Sequence, residues 1–165
     1  ELVSVELIAQ VRSPPSPDYT FRHALIRTVA YESQLKSERA KWHRRLAAAI
    51  QERAPGAVDE KAALIAEHLH AAGDLQPAYD WNMRAGAWST TRDIGVARVS
   101  WERACRIADN LPGNVPDQLS MRIAPRTMLC ATDFQSRAVQ ESWGRFAELR
   151  ALCNAAGDKV SLALR

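Results

Sequence analysis

The feature that most constrains the fold of this chain is a succession of apolar stripes with helical spacing, separated by short breaks. The cleanest stripe runs from Ile94 to Leu111 and stops at Pro112-Gly113, because proline removes a backbone donor that a continuing helix needs. Further stripes begin near Ser37, Asp59, Asp74, Pro116 and Val139. The connections between them are short, which forces neighbouring helices to lie antiparallel. The pattern predicts an all-α chain of stacked antiparallel helical hairpins over residues 36–165.

Single residues predict where several of these helices begin and end. Ser37 and Asp59 are predicted to cap helix N-termini, because a side-chain oxygen there can accept a free backbone N–H. Gly73 is predicted to take the left-handed conformation that often closes a helix. Pro125 lies inside a stripe and is predicted to kink or end its helix, since its ring crowds the preceding turn.

The N-terminal 35 residues have a different pattern and are predicted to form a separate part. Residues 1–11 carry a weak amphipathic helical pattern, and the proline-rich stretch that follows predicts a turn. The β-forming run Tyr19–Phe21 then leads into a helix that starts near Ala24. This places His23 beside a helix start, where free N–H groups and the helix dipole favour an anion. The imidazole can therefore donate to a phosphate, or it can simply cap or pack against the helix.

Composition and charge exclude several classes of protein. The net charge is +3, and the lysines and arginines form no block large enough for a nucleic-acid footprint. The densest basic run, within residues 36–45, is interpreted as a solvated helix face. The longest apolar run is the five residues Leu46–Ile50, far short of the ~20 needed to cross a bilayer. We therefore expect no membrane contact and a cytoplasmic location. Because the first residue is Glu1 and the last segment is apolar, we expect a piece of a longer protein.

Catalytic and metal-binding patterns are missing from the sequence. The cysteines Cys105, Cys130 and Cys153 are widely spaced among apolar neighbours, which predicts buried thiols in a reducing compartment. His68 and His70 are two residues apart, so on a helix they point about 200° from each other and cannot share one ion. No nucleophile motif and no phosphate-binding glycine loop occur. We predict no catalytic residue, no metal site and no cofactor within this chain.

The tryptophans allow two interpretations. Most of them lie on the apolar stripes, which favours core packing, because large aromatic side chains dominate core energetics. A groove between helical hairpins could instead present one of them to a partner peptide. The residues are Trp42, Trp81, Trp88, Trp101 and Trp143.

Three segments in order resemble a known family over about residues 15–111. They are Tyr19-x-Phe21-x-His23-x-Leu25-Ile26-Arg27-x-x-Ala30-Tyr31, Glu38-Arg39-x-x-x-His43-x-Arg45-x-Ala47-x-x-Ile50 and Ala66-x-His68-x-x-x-Ala72-Gly73-Asp74. This order resembles the C-terminal part of signal-transduction P-loop ATPases, the STAND proteins. In bacterial members the region follows a nucleotide-binding module, sometimes with an adenylate cyclase domain before it or a LuxR-type helix-turn-helix after it.

The resemblance implies both an architecture and a function. Residues 1–35 would be the remnant of a winged-helix domain, and residues 36–165 an array of tetratricopeptide-like hairpins. The region would regulate a switch ATPase by contacting its nucleotide-binding module and a protein or small-molecule inducer. ATP or ADP and Mg²⁺ would be bound elsewhere in the longer protein, and this region would not itself be an enzyme.

The resemblance also gives His23 a possible role. In related plant and animal switch ATPases, a Met-His-Asp motif in the winged helix places its histidine on the β-phosphate of ADP. Here Arg22-His23-Ala24 matches only the histidine, and Ala24 replaces the acid. His23 is thus the candidate ADP-phosphate sensor, in the longer protein rather than in this chain alone.

Two other functions stay open on sequence grounds. One is a free-standing peptide-binding scaffold of tetratricopeptide type, which needs no nucleotide. The other is a DNA-binding winged helix with a helical dimerisation arm, although the even spread of basic residues argues against nucleic acid as a partner.

Overall fold

Helices dominate the computed structural model, which describes residues 7–10, 19–53, 55–113, 117–133 and 139–157. Within these ranges there are two short strands, one turn of 3₁₀ helix at Pro55–Ala57 and seven α-helices. The elements are β1 (Ile8–Gln10), β2 (Tyr19–Phe21), α1 (Ala24–Glu32), α2 (Lys36–Arg53), α3 (Ala62–Ala72), α4 (Leu75–Ser89), α5 (Ile94–Asn110), α6 (Gln118–Ala131) and α7 (Val139–Ala156). The prediction of a mostly helical chain is confirmed. The chain divides into two units, Glu1–Trp42 and His43–Arg165.

The first unit contains an antiparallel pair of strands followed by α1. Ile8 lies opposite Phe21, and Gln10 lies opposite Tyr19. The predicted β run and the helix start at Ala24 are confirmed, but the helix predicted over residues 1–11 is wrong where β1 forms. Pairing with β2 satisfies the backbone groups of Ile8–Gln10, and this outweighs a weak helical pattern. The turn predicted at the prolines lies outside the described residues.

In the second unit each helix from α3 to α7 packs against the next one in sequence. Small residues let these helices approach closely: Ala78, Ala97 and Ala104 are completely buried. One buried cluster contains Ala78 and Tyr79 of α4, Ala104 and Ile107 of α5, and Met121 of α6. A second buried cluster joins α6 to α7. The sequential packing follows from the short connections between helices.

The predicted helix boundaries had mixed outcomes. Gly73 has a φ of +82°, so the left-handed helix end is confirmed. Neither predicted cap is present, because α2 begins at Lys36 and already includes Ser37, while α3 begins three residues after Asp59. The Asp59 carboxylate instead pairs with the guanidinium of Arg84 on α4. An ion pair to another helix thus replaces the predicted local hydrogen bond.

α6 does not end at Pro125, so the predicted helix end there is wrong, while the predicted kink stays a prediction. α6 continues through it from Gln118 to Ala131, and the proline ring is fully buried. α6 packs against α5 on one side and α7 on the other. Burial of apolar surface against two neighbours offsets the one backbone hydrogen bond that the proline removes.

The tryptophans are divided between core and surface. Trp101 is completely buried, as predicted. Trp42 and Trp143 are 51% and 62% exposed, so core packing is wrong for these two. Trp81 and Trp88 are half-buried, and the guanidiniums of Arg84 and Arg92 lie over their rings. The helical spacing of these tryptophans does not show which of them lie in the core and which lie at the edge of an apolar stripe.

Among the helices of the described ranges, none is both long enough and apolar enough to cross a membrane.

Candidate functional site

The second unit has a cavity of about 470 Å³ between α3, α4 and α5, which we call the α3–α5 groove. Its volume lies in the range of ligand-binding sites, roughly 300–1,000 Å³. The polar side chains that line it come from three successive helices and are Glu67, His70, Asn82, Arg103, Arg106 and Asn110. Leu75 and Ile107 supply apolar surface beside them.

Two arginines form one wall of the groove. Arg103 and Arg106 are three residues apart on α5 and therefore share a helix face. Within the described residues neither guanidinium has an acidic partner. Six other arginines of this unit do have one, in the pairs Arg44–Asp74, Arg84–Asp59, Arg98–Asp133, Arg122–Asp109, Arg126–Glu148 and Arg145–Glu102. The groove wall thus presents two adjacent positive charges without a counter-charge from the described residues.

Asn82 of α4 contributes a buried acceptor. The residue is only 2% exposed, and its Nδ2 donates to the Ala78 carbonyl at 2.8 Å. Its Oδ1 atom is buried, and no donor among the described residues reaches it. Leaving a buried polar atom without a hydrogen bond costs about 1–3 kcal/mol. Asn82 borders the groove, but its Oδ1 atom has almost no accessible surface.

The opposite wall comes from α3 and has different chemistry. Glu67 and His70 are three residues apart and both line the groove. Their side chains can accept hydrogen bonds, whereas those of Arg103 and Arg106 can only donate them. The site is therefore polarised across its width, with a carboxylate on one wall and two guanidiniums on the other.

His68 faces away from His70 and contacts α2. Its Nδ1 lies 3.0 Å from Nδ1 of His43, and the ring centroids are 5.2 Å apart. At this separation one ring donates a hydrogen bond to the other, and the tautomers of the two rings decide which one is the donor. No group of three or more metal-ligating side chains converges within the described part of the chain.

His23 lies directly before α1 with an extended backbone, at φ −127° and ψ 129°. Its side chain is exposed and makes no hydrogen bond to the helix start. The interpretation of His23 as a capping or packing residue is therefore wrong. Its proposed contact with a phosphate stays a prediction.

The groove residues were missed by the sequence reasoning, which singled out the basic run in residues 36–45 and the histidines of α3. A usable signal was present. Arg103, Arg106 and Asn110 recur at spacings of three and four on α5, beside the apolar stripe that contains Trp101 and Ala104. Charged residues at that spacing usually form a solvated surface, so the sequence alone could not separate them from ordinary exposed arginines.

A smaller cavity of about 270 Å³ lies between α5, α6 and α7 and contains Cys105. Burial raises the pKa of the Cys105 thiol to about 11, from an ordinary value of 9.0. None of the three cysteines forms a disulfide, and Cys130 and Cys153 are buried. The interpretation as small buried residues is therefore confirmed for Cys130 and Cys153. Cys105 is only half-buried, but the raised pKa keeps its thiol protonated at neutral pH.

We expect Cys105 to react slowly with a thiol reagent such as dithionitrobenzoate. A pKa higher by two lowers the thiolate fraction at pH 8 about a hundredfold. The native protein should show no fast thiol, and the rate for Cys105 should rise steeply above pH 9. In denaturant all three cysteines should react at once. A Cys105→Ser variant serves as the control, because the kinetic phase that it lacks belongs to Cys105. If Cys105 reacted as fast as glutathione at pH 8, the effect of burial on its pKa would be contradicted.

Comparison with known proteins gave one similarity of note. An uncharacterized protein of Rhizobium meliloti (strain 1021) is 31% identical over 104 residues, which are 62% of this chain and 10% of that protein. The aligned stretch is thus about a tenth of that relative. No protein-family model matches the chain. No solved structure matches it either.

Proposed function

We propose that this chain is the regulatory and protein-interaction region of a STAND-type P-loop ATPase signalling protein. The observation that carries the proposal is the α3–α5 groove, a cavity lined by polar side chains from three successive helices. Consecutive helix packing from α3 to α7 supports a tetratricopeptide-like array. The β1–β2 pair followed by α1 supports a winged-helix remnant before it.

The proposed mechanism is a shift between two arrangements of the longer protein. A partner or inducer that binds the hairpins in one arrangement only would favour that arrangement. The nucleotide-binding module would then exchange ADP for ATP at a different rate. The relative from Rhizobium meliloti supports a place within a longer chain, because the aligned stretch is a small part of it.

The first test is nucleotide binding by the full-length protein that contains this chain. We expect it to carry a Gly-x-x-x-x-Gly-Lys-Ser/Thr loop before this region and to bind a fluorescent ADP analogue. The 165-residue chain alone is the control and should bind none, since its sequence contains no such loop. A full-length protein that binds no nucleotide would contradict the proposal and leave a free-standing peptide-binding scaffold as the better account.

The second test concerns His23. In the full-length protein, His23→Ala should weaken ADP binding about tenfold or more, because a hydrogen bond to a charged group contributes about 1.5–3 kcal/mol. The measurement is the dissociation rate of the fluorescent ADP analogue. Thr28→Ala, on the exposed surface of the same helix, is the control and should leave that rate unchanged. An unchanged rate in the His23 variant would remove the sensor role.

A further inference from the structure

We propose that the contact between His43 and His68 is a pH-sensitive switch, which holds α2 against α3 near neutral pH and releases it when both rings are protonated. The inference goes beyond the proposed function and does not depend on it. Three observations carry it: the distance between the two rings, the charged groups around them and the place of α2 in the chain.

The contact between the two rings requires at least one of them to be neutral. Nδ1 of His43 lies 3.0 Å from Nδ1 of His68, and both side chains are half-buried. A hydrogen bond at this distance needs one nitrogen that carries a proton and one that has a free electron pair. An imidazolium ring can only donate. When both rings are charged, two N–H groups and two positive charges face each other, and the hydrogen bond is lost.

The charged groups beside the pair on α2 and α3 do not favour the doubly charged state. Arg39 lies one turn before His43 on the same face of α2 and already places a positive charge there. On α3, Glu67 and His70 line the α3–α5 groove, whereas His68 contacts α2. A second proton on the pair is therefore added next to existing positive charge.

Another contact between α2 and the end of α3 keeps its charges as the pH falls. The Arg44 guanidinium donates to the two carboxylate oxygens of Asp74 at 2.7 and 2.6 Å, and to the Ala72 carbonyl at 3.2 Å. The hydrogen bonds from Arg44 lower the pKa of the Asp74 carboxyl from its ordinary value of 3.8, so it stays ionised at pH 5. Of these two contacts, only the histidine pair gains charge between pH 7 and pH 5, where histidine ordinarily titrates.

Release of the pair would act on a helix that belongs to both units of the chain. α2 runs from Lys36 to Arg53, and the boundary between the units lies between Trp42 and His43. Ala47 is the one fully buried residue of α2, so little apolar surface holds this helix in place. Protonation should therefore free residues 43–53 while α3–α7 stay packed.

The test is hydrogen–deuterium exchange of the backbone amides at pH 7.5 and pH 5.0, corrected for the intrinsic exchange rates. We expect the protection of residues 43–53 to fall about tenfold or more at pH 5.0, because the released pair binds one more proton than the pair in contact. The protection of α5 should change much less. These two segments separate release of α2 from destabilisation of the whole protein.

Two variants identify the histidine pair as the cause. In His68→Gln the side chain still forms hydrogen bonds but cannot be protonated, so residues 43–53 should be protected equally at both pH values. His70→Gln makes the same substitution on the other side of α3 and should keep the pH dependence of the wild-type protein.

Proton uptake is measured on the unchanged protein by nuclear magnetic resonance of its four histidine rings. The signals of His43 and His68 should each follow a two-step titration curve, because a proton on one ring hinders protonation of the other. The exposed rings of His23 and His70 should each titrate in one step. In His43→Gln, His68 should also titrate in one step.

Four results would overturn the inference. The first is equal protection of residues 43–53 at the two pH values in the wild-type protein. The second is the same loss of protection in His68→Gln, which would assign the pH dependence to another group. The third is an equal loss in α5, which would show acid destabilisation of the whole protein. The fourth is independent, one-step titration of His43 and His68.

Discussion

Gly86→Ala is expected to destabilise the second unit by about 3 kcal/mol, with a loss of roughly 10 °C in melting temperature. A Cβ at Gly86 would lie 2.6 Å from Cε2 of Trp101 and closer still to its Nε1. The indole of Trp101 on α5 is completely buried and packs with Leu129 of α6 and Met83 of α4. Alanine normally stabilises a helix interior by about 0.5–1 kcal/mol relative to glycine. The change in the free energy of unfolding is therefore predicted to be opposite in sign to the usual effect of replacing glycine with alanine in a helix.

The matched control is Gly144→Ala on α7, where a new Cβ meets nothing within 4 Å. It should be neutral or slightly stabilising, because it keeps the helix-propensity gain without the clash. Urea unfolding followed by circular dichroism at 222 nm measures both free energies of unfolding. Equal free energies for the two variants would show that the Trp101 contact does not limit the distance between α4 and α5.

Arg98→Met is expected to cost about 3–5 kcal/mol, because it leaves a buried carboxylate without its counter-charge. The Arg98 guanidinium lies 2.6 Å from Oδ1 of Asp133, and both side chains are at most 5% exposed. It also donates to the Leu129 carbonyl and to Oγ1 of Thr132, so it ties α5 to the end of α6. The measurement is again the free energy of unfolding in urea.

Two comparisons separate charge burial from lost packing. Arg98→Met combined with Asp133→Leu should recover at least half of the loss, since the uncompensated charge is gone. Arg122→Met breaks an ion pair with Asp109 whose side chains are both more than a third exposed, and it should cost no more than about 1 kcal/mol. If the double variant were as unstable as Arg98→Met alone, the buried charge would not be the cause.

Much of the helical framework could be predicted from the sequence, because the apolar stripes have helical spacing and several of them end at a proline or glycine. α5 shows this most clearly, since its stripe and its stop at Pro112 match the observed helix. β1 could not be predicted, because Ile8–Gln10 becomes a strand only through pairing with Tyr19–Phe21. The continuation of α6 through Pro125 could not be predicted for a similar reason, because burial between two helices outweighs the local tendency of proline to end a helix.

The candidate site was beyond the reach of sequence reasoning for a different reason. Asn82 lies on α4, whereas Arg103 and Arg106 lie on α5. Whether each side chain finds a partner depends on how the helices pack. Arg84 and Arg98 are also helical arginines, yet each is paired with an acid distant in sequence. No local pattern distinguishes paired from unpaired arginines, so only the packed structure identifies the groove.

The account is tested most directly by the binding of a fluorescent ADP analogue to the full-length protein that contains this chain. We expect saturable binding by the full-length protein and none by the 165-residue chain alone, because its sequence contains no phosphate-binding glycine loop. A full-length protein that binds no nucleotide would contradict the proposed regulatory role.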